Sequence, residues 1–110
     1  MAYSKEELFS SDLRELSALY KALAHPARLA VLRYLAETRT CITGDIADML
    51  PLGRTTVNQH LQELKEAGLI TGTTEGVKTC YCLDRDKLKK LMEMSGNFMK
   101  AIDISSDHYY

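Results

Sequence analysis

Residues 54–68 constrain the fold more than any other part of this sequence. Val57, Leu61 and Leu64 recur at the i, i+4 and i+7 spacing of one helix face, and the residues between them are polar. Gly68 follows at the place where a helix that ends on a left-handed residue favours glycine. The segment is therefore predicted to be a short amphipathic helix that buries one face and leaves a polar face open.

Four further helices are predicted from caps and apolar spacing. The first lies in the segment 1–23, and a capping-box pattern, SKEE at residues 4–7, predicts that it starts at Ser4. The second runs from Pro26 to residue 37, because proline suits the first turn of a helix. A brief helix over residues 44–50 precedes a tight Pro-Leu-Gly turn, and Asp84 caps a long last helix.

Strand-forming residues follow the helix at residues 54–68. Residues 69–74 and 77–83 are rich in β-branched and aromatic side chains, and they flank Glu75 and Gly76, a short turn with a glycine available for positive φ. This pattern predicts a β-hairpin. A short extended piece at residues 38–42 is expected to pair with the second hairpin strand.

Composition places the chain among small globular proteins. Its 110 residues are one domain's worth, with 45% hydrophobic and 26% charged residues. No apolar run reaches the roughly 18 residues that span a bilayer, and three cysteines do not suit a secreted disulfide framework, so a cytoplasmic location is expected. No phosphate-binding glycine loop, HExxH pair or nucleophile elbow occurs, which argues against an enzyme.

The order of these elements is the layout of a winged helix-turn-helix domain, mainly α with a small β-hairpin. Two segments make the likeness specific: KALAHPARL at residues 21–29 and TTVNQHLQELKEAGLI at residues 55–70. At this spacing the chain resembles the ArsR-type (ArsR/SmtB) family of winged helix-turn-helix transcriptional repressors. The resemblance implies a homodimer, joined through the two terminal helices, that binds double-stranded DNA at a pseudo-palindromic operator.

The resemblance also divides the chain into functional segments. Residues 1–110 are expected to form one DNA-binding domain, and its two dimerisation helices are residues 1–23 and 84–105. Residues 43–68 would be the helix-turn-helix and residues 69–83 the wing, followed by a frayed tail at 106–110. With a net charge of −1, phosphate binding must depend on a few well-placed donors and not on bulk positive charge.

Polar side chains at the start of the recognition helix are the candidate DNA contacts. Arg54 has the geometry for a guanine edge or a phosphate, and Asn58 and Gln59 have the amide groups that pair with adenine. Lys78, beside the turn at Gly76, would reach a backbone phosphate from the wing. The predicted DNA-binding residues are Arg54, Thr55, Thr56, Asn58, Gln59 and Lys78.

The terminal helices carry more large apolar residues than one core contact needs. Either these faces meet a second copy of the chain or they widen the chain's own core, and periodicity alone does not distinguish the two. The homodimer implied by the family favours the first interpretation. The predicted dimerisation residues are Phe9, Leu13, Leu16, Leu91, Phe98 and Met99.

The three cysteines are a candidate soft-metal site. Cys80 and Cys82 lie two apart on a strand and so share a face, predicted to be its more exposed one, and strand pairing would bring Cys41 near them. Three thiolates suit As(III) or Sb(III), and a soft divalent metal would accept them as well. Arsenic-responsive relatives carry closely spaced cysteines at the start of the third helix, where this chain has only Cys41. A redox or persulfide switch, or no thiol sensing, are the alternatives.

The histidines are interpreted as structural groups. His60 precedes a core leucine and is expected to make a hydrogen bond, and His25 precedes a helix-opening proline. Asp103, Asp107 and His108 near the end of the chain do not complete the zinc-ligand pattern of the family. The sequence thus predicts a repressor released from DNA by a ligand, with a thiol-switched or ligand-independent regulator, or a protein-interaction module, as alternatives.

Overall fold

Four α-helices and one three-stranded sheet make up the part of the chain that the computed structural model describes, residues 5–38, 42–43, 50–76 and 78–105. A 3-10 turn at Lys5–Leu8 precedes the first helix. The helices and strands are α1 (Ser11–Leu23), α2 (Pro26–Thr38), β1 (Ile42–Thr43), α3 (Arg54–Glu66), β2 (Ile70–Glu75), β3 (Lys78–Leu83) and α4 (Arg85–Ala101).

Helix α1 begins later than the sequence pattern predicts. Its N-cap is Ser10, whose hydroxyl accepts a hydrogen bond from the Leu13 amide at 3.3 Å. The predicted start at Ser4 is wrong, because residues 5–8 form the separate 3-10 turn; Ser4 itself lies outside the described residues. A serine side chain at this point satisfies one of the helix's first free N–H groups, and this fixes where the helix starts.

The predicted second helix is confirmed, and the predicted third lies almost entirely outside the described residues. Helix α2 starts at Pro26 and ends at Thr38, where the threonine hydroxyl donates towards the carbonyls of Tyr34 and Leu35 at 3.1 and 3.2 Å. The brief helix predicted for residues 44–50 falls outside the described residues except for Leu50, which lies in a bend.

Helix α3 ends in a Schellman motif at Gly68. The Gly68 amide donates to the Lys65 carbonyl at 2.9 Å, and the Leu69 amide donates to the Leu64 carbonyl at 3.0 Å. Gly68 has φ +81°, which a residue with a Cβ adopts only with strain. The reversal leads directly into β2, whose first residue Ile70 is buried beside Leu69.

The sheet is antiparallel, with strand order β1-β3-β2. The predicted pairing of the short strand with the second hairpin strand is confirmed, since Ile42 lies opposite Tyr81. Residue 38 belongs to α2, however, and residues 39–41 are outside the described part. Glu75 pairs with Lys78, so β2 continues one residue further than predicted and the turn begins at Gly76 (φ +63°); Val77 is outside the described residues.

One apolar core joins all four helices and the sheet. The inner face of α3 is wholly buried in it, which confirms the predicted role of Val57, Leu61 and Leu64. The buried members of this core are Leu16, Leu19, Ala22, Val31, Leu35, Val57, Leu61, Leu64, Leu69, Ile70 and Leu91. Burial on this scale holds the inner face of α3 against the rest of the domain.

Substituting Gly68 with alanine tests the reversal after α3. We expect Gly68→Ala to lower the free energy of unfolding by about 1 kcal/mol, because alanine is strained at positive φ. The nearest atoms to an added Cβ, on the Lys87 side chain, are at least 3.5 Å away, so strain and not a clash is the cause. Urea unfolding followed by circular dichroism measures the change.

Gly96→Ala is the matched control. Gly96 lies inside α4 with no atom within 4 Å of an added Cβ, so alanine there is expected to raise stability by about 0.5–1 kcal/mol. Equal effects of the two substitutions would contradict the account of Gly68.

Candidate nucleic-acid interface

Helix α3 presents two chemically different faces. The polar residues predicted to touch DNA, Arg54, Thr55, Thr56, Asn58 and Gln59, are all exposed. Val57 and Leu64 on the opposite face are completely buried. The helix therefore displays its hydrogen-bonding groups to solvent while its apolar groups fix it to the domain, which is the arrangement that a major-groove recognition helix requires.

The N terminus of α3 is open to an anion. Gly53 is the N-cap and makes no side-chain capping bond, and the first turn contains no acidic residue. The positive end of the helix dipole is therefore not neutralised by a side chain of this turn. Arg54 adds a full positive charge to the same end, so both effects favour an anion at this point.

The wing is described only in part. Gly76 is exposed at the hairpin turn, and Thr73 and Thr74 are exposed on β2. Lys78, the predicted phosphate contact, starts β3 next to this turn, but its side chain lies outside the described residues.

A cluster of hydrogen bonds around Arg28 connects α3 to α1 and α2. The Arg28 Nε–H donates to Nδ1 of His60 at 3.0 Å, and Arg28 Nη1 donates to the carbonyls of Lys21 and Ala22 at 3.3 Å each. His60 is 7% exposed. The prediction that His60 has a structural role is confirmed, but its partner was missed, since Arg28 lies 32 residues away in sequence.

His25 adds a second imidazole ring, beside that of His60, to this cluster. Its Nδ1 accepts a hydrogen bond from the Ala27 amide at 3.0 Å, as expected for a histidine before a helix-opening proline. Its ring centroid lies 4.2 Å from that of His60. Burial lowers the pKa of His60 below its ordinary 6.5, and the charges of His25 and Arg28 lower it further against the opposing effect of Glu63.

The predicted thiol site is only partly described. Cys80 is a free, half-buried thiol opposite Thr73, and Cys82 is half-buried and disulfide-bonded, whereas Cys41 lies outside the described residues. Tyr81 and Leu83, the neighbours of Cys82 on β3, pack against the core. Within the described ranges no group of three or more His, Cys, Asp or Glu side chains is placed to hold a metal ion.

The zinc-ligand candidates near the end of the chain do not form a described site. The Asp103 carboxylate accepts a hydrogen bond from the Ser105 amide at 2.9 Å, and hydrogen bonding to Ser105 lowers the pKa of Asp103. Asp107 and His108 lie outside the described residues.

The terminal helices share an exposed apolar surface. Phe9, Leu13 and Met99 are 60%, 47% and 53% exposed, and Phe98 is half-buried. Phe9, Leu13 and Phe98 line a cavity of about 520 Å³ between α1 and α4. Two predicted dimerisation residues, Leu16 and Leu91, are instead buried in the chain's own core, because the inward stripes of both helices meet there.

Polar contacts fix α1 and α4 to each other beside this surface. Lys90 lies 2.7 Å from the Glu15 carboxylate, and this hydrogen bond lowers the pKa of Glu15. The hydroxyls of Tyr20 and Ser95 are 2.6 Å apart. The terminal helices therefore form one unit within the chain.

Comparison with known proteins agrees with this geometry. A family model described as a helix-turn-helix domain matches residues 23–73. An HTH-type transcriptional regulator of Methanocaldococcus jannaschii is 32% identical over 76 residues, which are 69% of this chain and 85% of that protein. The transcriptional repressor SmtB of Mycobacterium tuberculosis is 38% identical over 65 residues, 59% of this chain and 47% of the repressor.

The chain belongs to the ArsR/SmtB family of transcriptional regulators. CadC of Listeria innocua, a cadmium resistance transcriptional regulatory protein, is 26% identical over 90% of this chain and 83% of its own length. As a member of this family the protein is a DNA-binding regulator and not an enzyme, which confirms both predictions.

Solved structures show the same fold. A possible transcriptional regulator for arsenical resistance has a TM-score of 0.64 and 29% identity, over 76% of this ArsR/SmtB-family chain and 83% of the other. A homodimeric winged helix-turn-helix DNA-binding domain of Mycobacterium bovis has a TM-score of 0.64 and 24% identity, over 98% of each chain. The predicted winged helix-turn-helix fold is confirmed. No helix among the described residues is long and apolar enough to span a membrane.

Proposed function

We propose that this protein is a homodimeric repressor that binds a pseudo-palindromic operator through α3 and the wing and leaves it when a thiophilic metal or metalloid binds. The observation that carries the proposal is the outward polar face of α3, whose opposite face is locked in the core. Among its relatives, SmtB is named a repressor.

In this proposal each residue of the polar face has a defined role. Arg54 binds a guanine edge or a phosphate, and Thr55 and Thr56 contact phosphates or a thymine methyl group. Asn58 and Gln59 read adenine through paired hydrogen bonds, and Lys78 contacts a phosphate from the wing. These few donors have to overcome a net charge of −1 per chain, and dimerisation doubles their number.

The apolar surface of α1 and α4 would bury itself against a second copy of the chain. Exposed groups as large as Phe9, Leu13 and Met99 on adjoining helices are typical of a protein–protein contact. A structurally similar domain from Mycobacterium bovis is described as homodimeric. A two-fold dimer would place its recognition helices in successive major grooves, roughly 34 Å apart, and this spacing requires a pseudo-palindromic site.

Release of the protein from its operator would depend on the three cysteines, Cys41, Cys80 and Cys82. The names of two relatives refer to cadmium resistance and arsenical resistance, and both elements are soft thiolate-binding species. A thiol redox switch is the second candidate, because Cys82 is disulfide-bonded while Cys80 is a free thiol. As(III), Sb(III) or a soft divalent metal would require the reduced protein.

Removing Arg54 tests the recognition helix. Should Arg54 read guanine, Arg54→Ala is expected to cost about 1–3 kcal/mol at one base position. A phosphate contact would instead weaken binding to all sequences and reduce the salt slope by about 1. Fluorescence anisotropy on operator variants over a salt series separates the two, and Arg33→Ala, which removes an exposed charge from α2, is the control. Unchanged affinity of Arg54→Ala at every salt concentration would remove Arg54 from the interface.

Placing a charge on the exposed apolar surface tests the dimer. Wild type should have twice the 12.4 kDa chain mass in sedimentation equilibrium, and Leu13→Glu should give monomers that lose operator binding. Leu29→Glu is the matched control, because Leu29 is 52% exposed but lies on α2. A monomeric wild type at all concentrations would contradict the proposal.

Cysteine substitution tests the release mechanism. In the reduced protein, arsenite or Cd²⁺ should weaken operator binding at least about tenfold, and Cys→Ser at 41, 80 or 82 should abolish this effect. Unchanged release in all three variants would refute the metalloid site. Release by a thiol oxidant that is reversed by reductant, without any response to arsenite or Cd²⁺, would favour the redox switch.

A further inference from the structure

Arg28 connects three helices through one side chain. Its Nη1 donates to the Lys21 and Ala22 carbonyls in the last turn of α1, and its Nε donates to His60 on α3, while its own backbone belongs to the first turn of α2. Among the described residues, the Arg28–His60 bond is the one side-chain hydrogen bond between α2 and α3. Val31 and Leu35 of α2 belong to the same apolar core as Val57, Leu61 and Leu64 of α3, and such packing has no fixed direction.

The bond to Arg28 determines the protonation state of His60. An arginine Nε is always a donor, so Nδ1 of His60 has to be the unprotonated nitrogen. The proton of the neutral ring is therefore on Nε2, which is buried and has no hydrogen-bond partner among the described residues. Adding a proton to Nδ1 would remove the acceptor and leave an imidazolium 3.0 Å from the guanidinium.

We propose that Arg28 is a positioning residue for DNA recognition, which orients α3 through neutral His60, and that protonation of His60 releases α3 and weakens operator binding. This inference depends on the proposed contact between α3 and DNA. Asn58 and Gln59, two of the residues assigned to base contacts, directly precede His60 on α3. A small rotation of the helix about this point displaces both amides from the base edges.

Burial, and after it the charged groups around the ring, favour the neutral form of His60 at physiological pH. His25 and Arg28 face it from the α2 side, and Glu63 on α3 opposes them only in part. The pKa of His60 is therefore below 6.5. The stabilising hydrogen bond from Arg28 to neutral His60 is fully present above pH 6.5 and is lost as the pH falls towards the lowered pKa. Acidification otherwise adds positive charge to a protein and strengthens phosphate binding, so a loss of affinity runs against the general trend.

The direct test compares operator binding at about pH 7.5 and at about one pH unit below the His60 midpoint measured by NMR, in wild type and His60→Asn. Asparagine places an oxygen acceptor at the position of Nδ1 and does not titrate. We expect the wild-type Kd to rise at least about tenfold on acidification and that of His60→Asn to change less than about threefold. His25→Gln, which removes the exposed neighbouring histidine, should retain the wild-type loss. A similar acid loss in His60→Asn, or none in wild type, would overturn the proposal.

Arg28→Lys tests the positioning role. Lysine keeps the charge but cannot supply the Nε donor and the Nη1 donors together, so operator affinity should be reduced at both pH values and the acid response should disappear. Circular dichroism at each pH monitors folding. A loss of helical signal over the same pH range in wild type would assign the weaker binding to unfolding and overturn the positioning role.

A measurement without DNA separates this proposal from the proposed function. Side-chain nitrogen NMR of the free protein should show His60 protonated on Nε2 at neutral pH and titrating below 6.5. A proton on Nδ1, or a midpoint at or above 6.5, would refute the Arg28–His60 mechanism even when operator binding is normal. With the expected NMR result, failure of the wild-type protein to bind any DNA would refute the proposed function and, with it, the positioning role.

Discussion

Burial of the apolar face of α3 is the interaction on which the rest of this structure depends. Val57, Leu61 and Leu64 pack into a core shared by all four described helices and the sheet, so the helix cannot turn its polar face inward. The same burial determines which residues meet solvent. A recognition surface of short polar side chains therefore follows from the core, and it needs no basic tail.

Hydrogen bonds then fix the chain reversal after α3 and the contact of α3 with the other helices, which apolar packing alone does not determine. Gly68 reverses the chain after α3 and starts the hairpin, while Arg28 ties the middle of α3 to the corner between α1 and α2. The terminal helices stay connected through Lys90 and Glu15 and keep part of their apolar surface exposed. The polar face of α3, the hairpin and the exposed apolar surface of α1 and α4 are thus all connected to one core.

Long sequence patterns predicted the structure more accurately than short ones. The strong periodicity of α3 and the glycine at 68 predicted their elements correctly, whereas the capping-box pattern at residues 4–7 predicted a start for the first helix that lies before the observed N-cap, Ser10. Periodicity identified Leu16 as apolar-facing but could not tell the chain's own core from a partner's surface. The bond between Arg28 and His60 had no sequence signal, because it joins helices far apart in the chain.

The most direct test of this account is fluorescence anisotropy of the reduced protein on DNA from upstream of its own gene, compared with random DNA over a salt series. We expect tight, salt-dependent binding to the upstream DNA, at least about a thousandfold tighter than to random DNA. Binding no stronger than to random DNA would contradict the claim that α3 is a sequence-reading helix.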